Sequence, residues 1–146
     1  VQGSAQTRLH FSISSSDHAT AGRRSKCVFS VTNSVGTPIC FLVSSIVVAD
    51  GLLHTAFISF DGDAGTATFI IDGINVDDVA NGERVTPAIG TLSTGVGTIN
   101  VGSNNSGTEF FLGDIGFVGH REAYLTNWSD FMYPDGTPKA INESSW

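Results

Sequence analysis

Positive charge is what this sequence has least of. Seven Lys and Arg stand against fourteen Asp and Glu in 146 residues, a net charge of −7. A nucleic-acid binder needs a basic footprint to neutralise phosphates, and these scattered cations supply none, so nucleic acid is not expected as a partner. The one basic cluster, Arg23, Arg24 and Lys26 in "GRRSK", reads as a solvated loop, with a small anion patch as the alternative. Charged residues of both signs reach only 14%, against about 25% in an average soluble protein. The strong helix formers are correspondingly few, which argues against a helical bundle. No apolar run is long enough to span a bilayer as a helix, and no membrane partner is expected.

Cysteine is nearly absent too. Cys27 and Cys40 show no metal-ligand spacing, and they flank the hairpin candidate "CVFSVTNSVGTPIC". A turn centred near Asn33 and Ser34 places them opposite each other across the ladder. Directly opposed pairs fit disulfide geometry poorly. They read as free thiols packed as small hydrophobes, with a bridge in an oxidising compartment as the alternative.

Catalytic carboxylates are missing in any usable pattern. Glu83, Glu109, Glu122 and Glu143 lie far apart, and the neighbours Asp77 and Asp78 fall on opposite faces of an extended chain. Glycoside hydrolysis wants two carboxyls flanking one bond. No Gly-x-Ser-x-Gly elbow offers a serine nucleophile. The chain is not read as an enzyme.

What the sequence does have is turn chemistry and short alternating runs. Seventeen glycines, with abundant Ser, Thr and Asn, suit the positive-φ corners of hairpins. "RLHFSIS" puts Leu9, Phe11 and Ile13 on one face and His10, Ser12 and Ser14 on the other, a half-buried strand. "CVFSV" and the more continuously apolar "PICFLVSSIVV" follow. "HTAFISF" and "TATFIID" are joined by "DGDAG", a hairpin loop, and "DGINV" turns at Asp72 and Gly73 into another strand. "GTINVGS" and "EFFLGDIGFVGHR" read as later strands. Only "YLTNWSDFMYPDGTP" resists: Thr126 or Asn127 can cap a single helical turn carrying Trp128, Phe131 and Met132, which Pro134, Asp135 and Gly136 then end. The expectation is one domain over residues 1–146, an all-β antiparallel sandwich.

"DGLLHTAFISFDGDAGTATFIIDG", residues 50–73, is the most informative stretch. His54 reads as a hydrogen-bonded strand-edge residue. Asp61 and Asp63 read as turn caps, with a weak calcium contribution as the sharper alternative. Asp72 reads as a turn residue ahead of Gly73. On this reading the polar residues punctuate strands, and no cofactor is expected.

The same stretch resembles laminin-G-like, concanavalin A-like lectin/glucanase sandwiches. These show Asp-Gly-x-Trp-His, an apolar strand, a Gly/Asp hairpin and an aliphatic strand ending in Asp-Gly; Leu53 stands where the tryptophan is usual. "GTINVGSNNSGTEFFLGDIGFVGHREAYLT" is similar to the family's closing strands, and the match runs roughly from Arg8 to Thr126. The tail "YLTNWSDFMYPDGTPKAIN", through Phe131, Asp135, Gly136, Pro138 and Lys139, resembles the ending of such proteins from tailed bacteriophages. The resemblance implies a jelly-roll sandwich with two or three strands ahead of "RLHFSIS". This chain opens almost at that strand, so the expectation is either a fragment or a trimmed sandwich, the latter with an uncovered edge suited to pairing with another chain.

The functional expectation is therefore a non-catalytic virion structural protein, a capsid decoration or tail-associated component. It would contact other virion proteins or copies of itself, with Trp146, Trp128 and Tyr133 as candidate interface residues. The alternative is a secreted or surface lectin-like module in which Asn104 and Asn105 of "GSNNSG" join these aromatics at a glycan. Asn104, Asn127 and Asn142 also begin Asn-x-Ser/Thr sequons.

Overall fold

Alternation of apolar and polar residues becomes six strands in a computed structural model that describes residues 8–33, 35–90, 125 and 127–140. They are β1 (Arg8–Ile13), β2 (Cys27–Thr32), β3 (Pro38–Val43), β4 (Ala56–Asp61), β5 (Thr66–Ile71) and β6 (Ile74–Asn75). They form two antiparallel three-stranded sheets, ordered β1-β2-β3 and β4-β5-β6. The only helical pieces among the described residues are 3-10 turns at Ala21–Arg23 and Trp128–Asp130. The all-β expectation holds at this level. The strands read at 97–103 and 109–121 lie outside the described residues, as do Asn104, Asn105 and Trp146.

Register explains which side chains meet. Phe29 lies opposite Leu42 and Val31 opposite Cys40, so one face of β2 and β3 is continuously apolar. On the second sheet Ile58 lies opposite Phe69 and Ala56 opposite Ile71. A buried cluster draws on both sheets: Phe29, Val31 and Leu42 from one, Phe69 and Ile71 from the other, with Val76 just past β6. Removal of these side chains from water is the main force holding the sheets together.

Val76 joins the sheets covalently and by hydrogen bonds. Its N–H donates to the Phe69 carbonyl at 3.0 Å, and its own carbonyl accepts from Ser45 at 2.7 Å. The chain then runs antiparallel along the outer edge of β3, through bridges at Ser44–Asp77 and Phe41–Val85. Edge strands left open template further pairing, and this one is covered. Buried Ser44 completes the corner: its Oγ accepts from the Cys27 N–H and donates to the Ile46 carbonyl.

Salt bridges fasten the covering segment. Arg23 reaches Glu83 at 2.9 and 3.0 Å and lies over the Phe41 ring, while Arg84 forks onto Asp77 and Lys26 approaches Asp78 at 3.6 Å. The "GRRSK" cluster is thus no freely solvated loop. Arg23 and Lys26 are spent on carboxylates a long way down the chain, which sequence proximity does not reveal. The neighbouring Asp77 and Asp78 point to different cations, as their opposite faces require.

The cysteine expectation needs one correction. The 33–37 turn and a bulge at Val31/Thr32 set Cys40 against Val31, while Cys27 lies opposite Ile13. The two are displaced along the ladder rather than opposed. Both thiols are free and buried, and burial, assisted by Asp72 at Cys27 and Asp77 at Cys40, pushes each up to about 12. Neither is a nucleophile at neutral pH, because the thiolate is the reactive form. A thiol-reactive chromogen should leave both unmodified in native buffer and label both in denaturant. Stoichiometric labelling of the folded protein would show that this burial is wrong.

Candidate functional site

The β4–β5 hairpin builds the site. Its four-residue loop is closed by Asp61, whose Oδ1 accepts from the Asp63 and Ala64 N–H groups at 2.9 and 3.0 Å. That is the turn-capping role read from the sequence, and Asp63 points to solvent. Among the described residues no group of three or more His, Cys, Asp and Glu is arranged to hold a metal.

Ladder pairing from Asp61–Thr66 to Ala56–Ile71 carries the chain to the other end of the hairpin, where Asp72 faces Thr55. The Asp72 N–H donates to the Thr55 carbonyl, and the Thr55 N–H donates back to Asp72 Oδ1, both at 2.9 Å. Asp72 holds a left-handed φ of 51°, uncommon for a side chain other than glycine. This aims its second oxygen at His54: Nδ1 and Oδ2 are 2.6 Å apart. Across the ring, Nε2 lies 3.0 Å from Asp50 Oδ1, which also accepts from the Leu52 N–H.

His54 is therefore more than a strand-edge residue, and Asp72 more than a turn residue. Together with Asp50 they form an Asp–His–Asp clasp, which corrects the reading of these polar groups as punctuation. A carboxylate only accepts hydrogen bonds, so satisfying both at once requires the doubly protonated ring. The bond to Asp72, and then that to Asp50, raises the His54 pKa above 6.5. The same contact holds Asp50 below 3.8. With both ring nitrogens engaged, His54 has no free lone pair to act as a general base.

A second Asp-Gly turn sits on the first. Gly73 (φ 79°) lies so close to the Pro134 carbonyl that a Cβ would collide with it, and a Cβ on Gly136 (φ 83°) would come within 2.5 Å of the Asp72 Cα. The two glycines let the backbones touch. Between these turns and the Asp50–Thr55 segment lies an open cleft of about 360 Å³, with Leu52, Leu53, His54, Asp72, Asp135 and Pro138 among its walls. Leu52 and Leu53 are 73% and 82% exposed.

The aromatics proposed from sequence separate. The Trp128–Asp130 turn carries a half-buried Trp128, and its cap position, Asn127, bonds the Asp130 and Ser129 side chains rather than a backbone N–H. Next to it Phe131 stacks on Phe57 with centroids 5.5 Å apart, and Met132 is fully buried. The outer face of β4 is thereby packed, as its two partly apolar faces suggest, with Ser59 Oγ accepting from Leu125. Tyr133 is exposed, with Lys139 Nζ 5.0 Å over one face of its ring. Comparison with protein-family models, curated proteins and solved structures finds no match for this chain.

Proposed function

We propose that this chain is a non-catalytic structural protein of a virion, a capsid decoration or tail-associated component on a jelly-roll, laminin-G-like sandwich, acting through protein–protein contacts. The observation that carries the contact role lies on β1. Leu9 and Phe11 sit opposite the buried Val31 and Phe29, on the same apolar face, yet are 60% and 42% exposed. Among the described residues β1 pairs on one side only, with β2. A strand with that face and edge is suited to another protein, whether a copy of itself or a different virion subunit. The Asp50–His54–Asp72 clasp supports the non-catalytic reading, because its one acid–base group is held by structure on both sides. The sandwich comes from the likeness of residues 50–73 to laminin-G-like proteins, and the virion setting from the likeness of the tail, residues 124–142, to the ending of such proteins from tailed bacteriophages.

The test is native mass spectrometry of the chain alone and of purified particles from its source. A closed homo-oligomer, or a fixed copy number on particles, is expected, and a Leu9→Ser, Phe11→Ser double variant should lose it with its circular dichroism intact. A chain that is monomeric and absent from particles would end this reading.

A further inference from the structure

We propose that His54 is a proton-operated latch: the doubly protonated ring pins the loop carrying Leu52 and Leu53 to the β5–β6 turn, and loss of one proton lets that loop go.

The hydrogen-bond inventory forces the two states. Both ring nitrogens face carboxylate oxygens, at 2.6 Å on the Asp72 side and 3.0 Å on the Asp50 side. A neutral ring has one N–H and one lone pair, so one carboxylate must lose its donor and meet a lone pair instead. Asp72 keeps the proton: its contact is shorter, and its other oxygen is fixed by the Thr55 N–H. Asp50 is the weaker side. It is the more exposed of the two carboxylates, and it belongs to the loop it would release.

Among the described residues, the charged groups at the ring and in the cleft beside it are acidic. Asp50 comes from the loop, Asp72 from the β5–β6 turn, and Asp135 from the turn packed on Gly73, lining the same cleft. Among the described residues lining that cleft, His54 is the only base. The surroundings therefore favour the cation, in line with a pKa raised above 6.5 by the bonds to Asp72 and Asp50.

The sign follows from linkage. A raised folded pKa gives the latch its full strength below 6.5 and removes it as pH rises through the higher folded value. On the acid side Asp50 is depressed below 3.8, so the latch persists until pH falls through that lowered value. What the proton controls is the presentation of two exposed leucines, a surface separate from the β1 face on which the assembly role rests.

The experiment is NMR on the whole chain between pH 5.5 and 9: His54 ring 15N shifts, with amide exchange at Leu52 and Leu53 corrected for intrinsic rates. The His54 midpoint should lie above 6.5, and Leu52 protection should fall by about tenfold across that same midpoint. Asp50→Asn should move the midpoint down, and His54→Gln should leave protection independent of pH. Flat protection through the histidine titration, or a midpoint at or below 6.5, would overturn the latch. Exchange reads the loop without any partner, so failure here would leave the assembly role standing, and the reverse.

Discussion

Replacing Phe69 by alanine should remove about 3–5 kcal/mol of stability. Phe69 is 1% exposed at the middle of β5 and belongs to the cluster that draws on both sheets. Its ring is opposed by Ile58 across the ladder, and its backbone carbonyl receives the N–H of Val76, whose own carbonyl accepts from Ser45 beyond β3. Truncation there leaves a cavity whose walls are held by two hydrogen-bonded sheets, so collapse into it is restricted and the cost stays near the upper end. Against a typical total of about 5–15 kcal/mol, the variant retains little margin. The comparison is Leu53→Ala, a residue 82% exposed, expected to fall within about 0.5 kcal/mol of wild type. Urea titration of both variants decides it; equal midpoints would mean that Phe69 is not in the shared core.

The second large effect is at Gly136. Alanine there faces two penalties: a φ of 83°, costing about 1–2 kcal/mol for a residue with a Cβ, and a clash with the Asp72 backbone. Overpacking of that kind costs about 1–3 kcal/mol, so a total near 3 kcal/mol is expected. Gly51 isolates the first penalty, because its φ is 86° but nothing lies within 4 Å of a Cβ built on it. Gly51→Ala should therefore lose only about 1–2 kcal/mol. The difference between the two measures the contact between the turns. If both variants unfold at the same urea concentration, the turns do not touch in solution.

The hairpin of β4 and β5 was legible because its signals are local. Ala56, Ile58 and Phe60 alternate with polar or aromatic neighbours, and "DGDAG" supplies the loop. The clasp was not read, although one step more would have reached it: extending the ladder one pair past Ala56–Ile71 sets Asp72 against Thr55, beside His54. The meaning of Asp50 needed the loop's path, which no periodicity encodes. Arg23–Glu83 and the passage of Val76 between sheets are contacts between distant segments, invisible to any window of alternation. The cysteine register failed for a different reason. The turn closes over residues 33–37 rather than at Asn33 and Ser34, which accounts for most of the shift; the bulge at Val31/Thr32 adds one residue more, and a bulge has no reliable signature in a Ser- and Thr-rich strand.

The contact between Gly73 and the Pro134–Gly136 turn has a consequence for how the protein is made. Ribosomes add about 5–20 residues per second, and a hairpin closes in microseconds, so β4 and β5 can pair seconds before Pro134 leaves the exit tunnel. Until then the strained Asp72 turn has no cover and Phe57 lacks its stacking partner Phe131. The late segment therefore closes over a hairpin that has already formed, and a copy released before Pro134 would leave the Asp72 turn and the Phe57 ring uncovered.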